Sequence, residues 1–502
     1  MTQPTTPDPV PIETLPRVLG PFDAIAIVVG SIIGSGIFLK ASRIADDLGQ
    51  PYGFGPIILV WGVVGFVTLC GSLSLAELAA MLPQAGGPYV YLREAYGRLW
   101  AFLWGWTEFW IVRTGSLGAL ACATVIYGNS FLETLESQRL LPGWFAQFVP
   151  LSHWTQCLVS IALVLACTWV NVIGTRSAAR LQNITTVIKL GFLLFLILGP
   201  FITQKANVQN LSPMWPTDLS PVFWRAIGLA TIAVLWPYDG WINIAPVAEE
   251  IRNPQRNVPL ALTVGMLIII AVYLGANLSY HLMLPMDQVA QSPAVATDVS
   301  KLLLGSAGAW VAALCVMVST FGALNSNLLC GPRIYFAMAR DRLFPAAIRQ
   351  VHSRYQTPAN AIMAQSAWSL VLVLVAYAWT AAPPPPTAAS EVASVVAAPA
   401  TPGDAFDVLT DFVIFGGSIF YAMAVAAVFV LRWKRPDLDR PYKTWGYPIT
   451  PALYLLAFTG ALASMLYDKW LQTAAGSVLI LAGVVAYYAM GGGRKIVTPT
   501  QD

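Results

Sequence analysis

Long apolar segments recur along the whole chain, separated by shorter stretches of polar and charged residues. A transmembrane helix needs about 20 mostly apolar residues, and twelve segments of this sequence meet that requirement. The predicted spans 1 to 12 cover residues 20–40, 55–81, 98–130, 155–174, 179–202, 224–250, 258–284, 306–339, 359–381, 406–432, 446–467 and 470–491. The pattern therefore predicts an all-α integral membrane protein with twelve transmembrane helices.

Two of these spans, the first and the sixth, are interrupted. Span 1 carries three glycines among residues 30–36, and glycine is about 1 kcal/mol worse than alanine inside a helix. Span 6 carries WPYDGW at residues 236–241, where Pro237 removes a backbone donor and Asp239 places a charge in mid-span. Irregular backbone at membrane depth is tolerated where it lines a cavity, and paired interruptions mark the midplane site of a transporter. We expect a binding site at these breaks; the alternative is that the glycines only let two helices pack closely.

The backbone groups freed by the breaks fit a zwitterion. At the start of the half-helix after the first break, the amides of Ser35, Gly36 and Ile37 form a natural seat for a carboxylate. Carbonyl groups on the other side can accept hydrogen bonds from an ammonium group, and these belong to Ile32, Ile33 and Trp236. The two breaks together predict a site for an α-amino acid.

Composition and charge agree with a membrane protein and give its orientation. Hydrophobic residues make up 57% of the chain and charged residues 11%, against about 25% charged residues in an ordinary soluble domain. Eighteen of the 28 lysine and arginine residues fall in segments on one predicted side and six on the other. Because basic residues collect on the cytoplasmic side, both termini are expected there. The first twenty residues do not resemble a signal peptide.

Lys189 is an isolated cation within span 5. A charged side chain inside a membrane is costly unless it is paired or has a function, so we expect backbone oxygens around it. The alternative is a lysine that extends to the membrane surface. Arg113 in span 3 either pairs with Glu108 or anchors the helix at an interface, and we do not assign it to the substrate.

A charge cluster lies at the predicted cytoplasmic end of span 6. It consists of Glu249, Glu250, Arg252, Asn253 and Arg256. Such a cluster usually means a solvated or salt-bridged helix end, and here we expect either a structural role or an inner gate.

The polar residues give no support to enzyme chemistry. The six cysteines show no CxxC spacing, which argues against a disulfide framework or a metal site. The three histidines occur in unrelated segments, and no HExxH, GxSxG or Gly-rich phosphate loop is present. We therefore expect no catalytic residues, no cofactor and no nucleic-acid partner. A sensor without transport is also disfavoured, because the predicted tails are too short for a signalling domain.

At several motifs the sequence resembles the amino acid, polyamine and organocation transporter superfamily, and within it the prokaryotic type of the L-type amino acid transporter branch. The motifs are GSIIGSGIF (30–38), PQAGGPYVYLREAYG (83–97), YDGW (238–241) followed by AEEIRNPQRNVP (248–259), STFGALNSNLL (319–329) and LRWKRPDLDRPYK (431–443). The resemblance covers residues 17–450 and implies a LeuT-like fold, in which spans 1 to 5 and 6 to 10 form a five-plus-five inverted repeat. The implied divisions are a tail (1–19), the first repeat (20–202), the second repeat (203–432) with a low-complexity external loop (381–403), spans 11 and 12 (433–491) and a cytoplasmic tail (492–502).

The resemblance also implies roles for residues at the breaks. Ile32, Ser35 and Gly36 resemble contacts to the amino and carboxylate groups of the substrate. Trp236 and Asp239 resemble the cover contributed by span 6, with Trp236 as the outward gate. Asp239 would form a salt bridge in the break, titrate with substrate passage, or favour a cationic side chain.

Further residues are assigned by the resemblance to the side-chain pocket and to a cation position. Asn243 falls at a pocket position, and the small residues Gly416, Gly417 and Ser418 on span 10 suggest extra room. Lys189 resembles the lysine that lies where sodium-coupled relatives bind a cation, with Ser319 and Thr320 on the facing helix. Its ammonium group would replace that sodium.

These expectations combine into one function with stated alternatives. We expect sodium-independent exchange of neutral L-amino acids across the plasma membrane, or the inner membrane of a bacterium, by alternating access. A proton-coupled symporter with Lys189, Asp239 or Glu108 as proton carrier is the alternative, and an antiporter of cationic amino acids or polyamines is less favoured. The predicted loop 131–153 has no cysteine, so no disulfide-linked heavy chain is expected, and the protein is expected to be a monomer or weak oligomer in the lipid bilayer.

Overall fold

The computed structural model describes residues 14–49, 52–217, 219–381, 402–468 and 470–492. Within these ranges the fold is helical, and the strand-like pairing is a single bridge between Leu19 and Ile251. The main helices are α1 (Pro21–Ile32), α2 (Gly36–Ile44), α3 (Phe54–Met81), α4 (Pro88–Tyr96), α5 (Arg98–Ser137), α6 (His153–Val172), α7 (Thr175–Ile202), α8 (Pro221–Tyr238), α9 (Pro254–Met283), α10 (Ala307–Arg340), α11 (Ala359–Ala381), α12 (Pro402–Lys434), α13 (Ile449–Asp468) and α14 (Trp470–Ala489). Shorter elements are the π turns Ala45–Gly49 and Glu108–Val112, the 3₁₀ segments Val208–Leu211, Trp241–Glu250 and Ala346–Arg349, and the helices Gly143–Ala146, Met286–Gln291 and Val295–Leu304.

The helices follow the predicted spans closely. Seven of the described helices, α3, α5, α6, α7, α9, α10 and α11, are long and apolar enough to cross a membrane. Shorter apolar helices cover Pro21–Ile32, Ile449–Gly460 and Gly476–Ala489. The largest difference is at the end of span 3, because α5 continues to Ser137. The all-α membrane class is therefore confirmed, while the count of twelve crossings remains a prediction. The predicted loop 381–403 lies outside the described residues except at its edges.

Both predicted interruptions are present. The chain leaves α1 at Ile32 and begins α2 at Gly36. In the sixth span, α8 ends at Tyr238, and the chain resumes after Gly240 as the 3₁₀ segment Trp241–Glu250. Gly240 has a φ of 106°, a conformation that glycine adopts without a steric penalty. The two breaks are therefore real departures from regular helix.

The breaks touch each other through their glycines. A Cβ atom on Gly36 would lie 2.8 Å from the Cα atom of Pro237, and one on Gly240 would lie 2.8 Å from the carbonyl oxygen of Ser31. No side chain fits at either position, because real Cβ atoms do not approach other atoms so closely. The sequence predicted Gly36 as a contact to a ligand carboxylate, and the structure adds a second reason for a glycine here, which is contact between the two breaks.

Several ion pairs lie at one end of the molecule, where residues 14–20 contact the ends of other helices. We call this end the basic end. Glu250 pairs with Arg333 at 2.8 Å, and both side chains are fully buried. Glu249 pairs with Arg340 at 3.0 Å and accepts a hydrogen bond from the amide of Leu15 at 2.9 Å. The prediction that Glu249 and Glu250 belong to a salt-bridged helix end is confirmed, but their partners come from α10 rather than from the neighbouring Arg252 and Arg256.

A second group of polar contacts at the basic end involves α4. Asp341 accepts hydrogen bonds from Arg93 at 2.6 Å and from the hydroxyl of Tyr89 at 2.7 Å. Burial and the Asp341 carboxylate raise the pKa of Tyr89 well above its ordinary value, so the hydroxyl keeps its proton and remains a donor. These contacts tie α4 to the end of α10.

Candidate functional site

A cavity of about 50 Å³ lies where the two breaks meet. Five parts of the chain contribute to its wall: the first break, α5, the second break with the 3₁₀ segment, α10 and α12. Its polar lining residues are Ser31, Ser35, Arg113, Ser116, Trp236, Asp239, Asn243, Asn327 and Tyr421. A cavity therefore exists where the site was expected, and many hydrogen-bonding groups line its wall.

The first break presents unused donors. The amides of Ser35, Gly36 and Ile37 donate to no backbone or side-chain acceptor among the described residues. The Ser35 hydroxyl is buried and also has no hydrogen-bond partner in the described part of the chain. Ser35 and Gly36 line the cavity. Buried donors are nearly always paired, so this group of four donors suits an anionic ligand group such as a carboxylate.

The carbonyl groups expected to receive an ammonium group are already engaged. The Ile33 oxygen accepts from Lys189 Nζ at 2.6 Å and from the Ser319 hydroxyl at 3.2 Å. Ile33 is also absent from the lining of the cavity, so the geometry separates it from the predicted ligand contacts. The Ile32 oxygen accepts from the Gly34 amide at 2.9 Å and from the Tyr273 hydroxyl at 3.2 Å, so both of its lone pairs are in use.

Lys189 is buried behind the first break with backbone oxygens around it. Its Nζ atom donates to Gly30 O at 3.1 Å, Ile33 O at 2.6 Å and Ser319 O at 3.1 Å. The side chain is 0% exposed, which excludes a lysine that extends to the membrane surface. The prediction of backbone oxygen partners is confirmed.

The two residues expected beside Lys189 behave differently. The Ser319 hydroxyl donates to the oxygens of Ile33 and Gly34, at 3.2 and 2.9 Å, so it belongs to the same group. The Thr320 hydroxyl faces Thr124 on α5 at 2.9 Å instead. Neighbouring residues on one helix point in different directions, which explains why only Ser319 reaches the break.

Tyr273 on α9 joins the two breaks and was not identified from the sequence. Its hydroxyl lies 3.2 Å from Ile32 O and 2.8 Å from Pro237 O. One hydroxyl carries one proton, so the two carbonyls share a single donor. A tyrosine in an apolar span usually packs in the core, and nothing in the sequence distinguishes this one.

Arg113 and Glu108 form a buried pair at the cavity wall. Arg113 Nε lies 2.5 Å from Glu108 Oε2, across the π turn Glu108–Val112 of α5. The predicted pairing is confirmed. Arg113 also lines the cavity, a position that sequence reasoning missed. Asp239 and Tyr421 line the same cavity, where the Asp239 carboxylate interacts electrostatically with Arg113.

Among the remaining predicted residues, Trp236 and Asn243 line the same cavity. Trp236 packs against Ala119 and Ala123 of α5, and Asn243 projects from the 3₁₀ segment. Gly417 lies against the ring of Tyr421, where an added Cβ atom would be 3.3 Å away. The side chain of Ser418 and the burial of Gly416 lie outside the described part of the structure.

Comparisons with known proteins identify the family to which the chain belongs. The family described as amino acid permease matches residues 19–489. A serine/threonine exchanger of Bacillus subtilis is 30% identical, over 95% of this chain and 97% of the relative. The large neutral amino acids transporter small subunit 2 of Homo sapiens is 30% identical over 94% and 80%, and the cystine/glutamate transporter of Pongo abelii is 28% identical over 92% and 83%. The family and these relatives are transporters rather than enzymes, and the chain is a member of the amino acid permease family.

Proposed function

We propose that the protein exchanges neutral L-amino acids across the plasma membrane by alternating access and without sodium. The observation that carries this proposal is the group of unused donors at Ser35, Gly36 and Ile37, which line or border a cavity where two broken helices meet. The names of the relatives, which include a serine/threonine exchanger and a neutral amino acid transporter, support the same substrate class.

The zwitterion of the substrate would lie across the first break. Its carboxylate would receive the amides of Ser35, Gly36 and Ile37 and the Ser35 hydroxyl. Its ammonium group would donate to the Ile32 oxygen on the other side of the break, in place of the Gly34 amide or the Tyr273 hydroxyl that this oxygen now accepts. The side chain would then extend toward α5, α10 and α12, where Asn243 and Tyr421 line the cavity.

Sodium independence is supported by the position of Lys189. Three carbonyl oxygens at 2.6 to 3.1 Å, one of them shared with the Ser319 hydroxyl, surround its ammonium group. Oxygen atoms in such a group would suit a monovalent cation, and here the ammonium group of the lysine supplies that charge. We propose that Lys189 keeps the first break in its binding conformation.

The proposal assigns the basic end to the cytoplasm and a gate to each side of the cavity. The basic end carries the buried group of Glu250, Arg333 and Thr175, which must separate when the site opens inward. On the other side, Trp236 against α5 would form the outward gate. We also propose that the chain crosses the membrane twelve times, that spans 1 to 10 form the five-plus-five inverted repeat, and that both termini lie in the cytoplasm.

A proton-coupled symporter is the second candidate. The observation that favours it is that Lys189 forms no ion pair with a carboxylate of the described residues, so losing its proton would leave no unpaired charge behind. Asp239 or Glu108 would be the other carriers.

Transport by purified protein in proteoliposomes separates the two candidates. For an exchanger, uptake of a radiolabelled amino acid falls sharply when internal amino acid is omitted, and an inward proton gradient does not restore it. Replacing sodium by choline should leave uptake unchanged. Restoration by the proton gradient would establish the symporter instead, and absence of any uptake under both conditions would refute transport of the amino acids tested.

A further inference from the structure

The segment that joins α5 to α6 is uncharged although it lies outside both helices. Residues 140–175 contain no Asp, Glu, Lys or Arg, and α6 uses only the 20 residues His153–Val172 of this stretch. A helix of that length extends about 30 Å, which is the thickness of the hydrocarbon core of a bilayer. Residues 140–152 therefore extend the uncharged stretch beyond the part that crosses the membrane.

This segment lies at the end of the molecule opposite the basic end. The first residue of α5, Arg98, donates to the Asp341 oxygen at the basic end at 2.8 Å, so the last turn of α5 lies at the far end. The chain returns along α6 and reaches the basic end again at Thr175, which donates to Glu250 at 2.7 Å. The segment between the two helices is therefore far from the ion pairs of the basic end.

Large apolar side chains of the segment point away from the protein. Leu140, Trp144 and Phe148 are 60%, 71% and 57% exposed, and we call these three residues the apolar cluster. Exposed apolar side chains that lie together mark a surface that contacts a partner or a membrane. The cluster therefore needs an occupant.

Hydrogen bonds hold the backbone of the segment in place. Trp144 belongs to the short helix Gly143–Ala146. The amide of Phe148 donates to the Phe145 oxygen at 3.0 Å, and the amide of Leu151 donates to Asn129 Oδ1 of α5 at 2.7 Å. The apolar cluster is therefore a preformed surface attached to the end of α5.

The apolar cluster directly precedes the lipid-facing side of α6. That helix is long and apolar enough to cross a membrane, and its exposed apolar side chains include Trp154, Leu158, Leu165 and Trp169. Tryptophan is enriched at both interfaces between membrane and water. Trp154 and Trp169 lie about 22 Å apart along the helix, so each is close to one edge of the hydrocarbon core. Trp154 thus marks the membrane surface next to which the segment lies.

We infer that residues 140–152 lie in the lipid interface opposite the basic end, with the apolar cluster inserted beneath the lipid headgroups. A protein partner would be expected to meet a polar and charged rim around an apolar centre, whereas this segment carries no charge. Its attachment depends on burial of apolar side chains and not on attraction to anionic lipids. The segment holds the adjoining ends of α5 and α6 at a constant depth.

The test measures the depth of nitroxide spin labels on the full chain in proteoliposomes. Labels are attached to the variants Trp144→Cys and Phe148→Cys, and their accessibility to oxygen, which dissolves in lipid, is compared with that to a water-soluble nickel chelate. We expect oxygen accessibility to exceed nickel accessibility at both positions. Leu158→Cys on α6 is the lipid control, and Glu136→Cys at the exposed end of α5 is the water control, where the order should be reversed.

The six native cysteines are accounted for by labelling the wild-type protein in parallel, since five of them are buried. Nickel accessibility at the apolar cluster equal to that of Glu136→Cys would overturn the inference, because the cluster would then face water. Low accessibility to both reagents would also overturn it, because a protein surface, such as a second copy of this chain, would then cover the cluster.

The lipid composition of the vesicles tests the kind of attachment. We expect the same label depths in vesicles of phosphatidylcholine alone and in vesicles with added phosphatidylglycerol, because the segment carries no basic residue. Insertion that occurs only with the anionic lipid would contradict an attachment by apolar burial. The melting temperatures of the labelled variants should equal that of the wild type, since the substituted side chains are exposed.

Discussion

Two fully buried cations in this molecule have different kinds of partner, since one contacts neutral oxygens and the other a carboxylate. Lys189 donates to three carbonyl oxygens, whereas Arg333 pairs with the Glu250 carboxylate and also donates to Thr175 at 3.1 Å. Removing Arg333 would leave a buried carboxylate unpaired. Removing Lys189 would leave only neutral oxygens. The difference indicates that Arg333 serves stability and closure of the basic end, while Lys189 serves the conformation of the break.

The partners also depend on the backbone in different ways. The oxygens of Gly30 and Ile33 are available to Lys189 because α1 stops at Ile32, and carbonyls within a regular helix are used by the helix itself. The Arg333 pair joins two side chains and needs no unwound backbone. A change in the conformation of the first break therefore alters the hydrogen bonds of Lys189 directly, whereas it leaves the Arg333 pair in place. The following predictions test this difference between the two cations.

The largest effect on stability is expected for Arg333→Met. Glu250 would remain as an unpaired buried charge, which costs about 3–5 kcal/mol. The free energy of unfolding should fall by that amount, measured as a lower melting temperature in detergent. The double variant Glu250→Gln with Arg333→Met should recover much of the loss. A single variant as stable as the wild type would show that the pair does not support the fold.

Lys189→Ala should lower exchange about a hundredfold while the protein stays folded. Hydrogen bonds to a charged group contribute about 1.5–3 kcal/mol each, and losing about 3 kcal/mol from the binding conformation corresponds to more than a hundredfold in population. Exchange in proteoliposomes and the melting temperature are measured on the same preparation. Lys205→Ala is the matched control, because Lys205 is exposed and donates to the oxygen of Leu302. Wild-type exchange by Lys189→Ala would contradict the proposed role.

Gly240→Ala should lower exchange to a smaller degree. The new Cβ atom would lie 2.8 Å from Ser31 O, and the φ of 106° would cost about 1–2 kcal/mol for a residue other than glycine. The two breaks would be pushed apart, so exchange should fall about tenfold or more. Gly228→Ala in the middle of α8, where no atom lies within 4 Å of an added Cβ, should be neutral. Equal activity of the two variants would argue against contact between the breaks.

The smallest effect is expected for Tyr273→Phe. The variant removes one hydroxyl shared by Ile32 O and Pro237 O, and a neutral hydrogen bond contributes about 1 kcal/mol. Exchange should therefore fall about fivefold. Tyr280→Phe on the same helix is the control, because the Tyr280 hydroxyl is buried but has no partner among the described residues. If both variants lost the same activity, the bridge between the breaks would have no special role.

Much of the fold could be predicted because its signals are local. Each apolar span is a continuous run of residues, and the breaks at Gly36 and Pro237 are visible from glycine and proline alone. The isolation of Lys189 in an apolar span also predicted its burial among backbone oxygens. These features follow from the cost of placing polar groups in lipid, which acts on every span separately.

The partners across the molecule could not be predicted in the same way. Nothing in the sequence indicated a partner for Arg333, which pairs with Glu250, and nothing in it distinguished Tyr273. Thr320 was expected beside Lys189 but faces Thr124, because the rotation of α10 decides which neighbour reaches the break.

The sequence by itself determined the membrane class, the two breaks and the buried lysine, because the cost of polar groups in lipid depends on local composition. Only the tertiary structure decided that Gly36 meets Pro237, that Gly240 meets Ser31 and that Arg113 lines the cavity. Those contacts join residues far apart in the chain, and they depend on how the helices pack and rotate, which no single segment specifies.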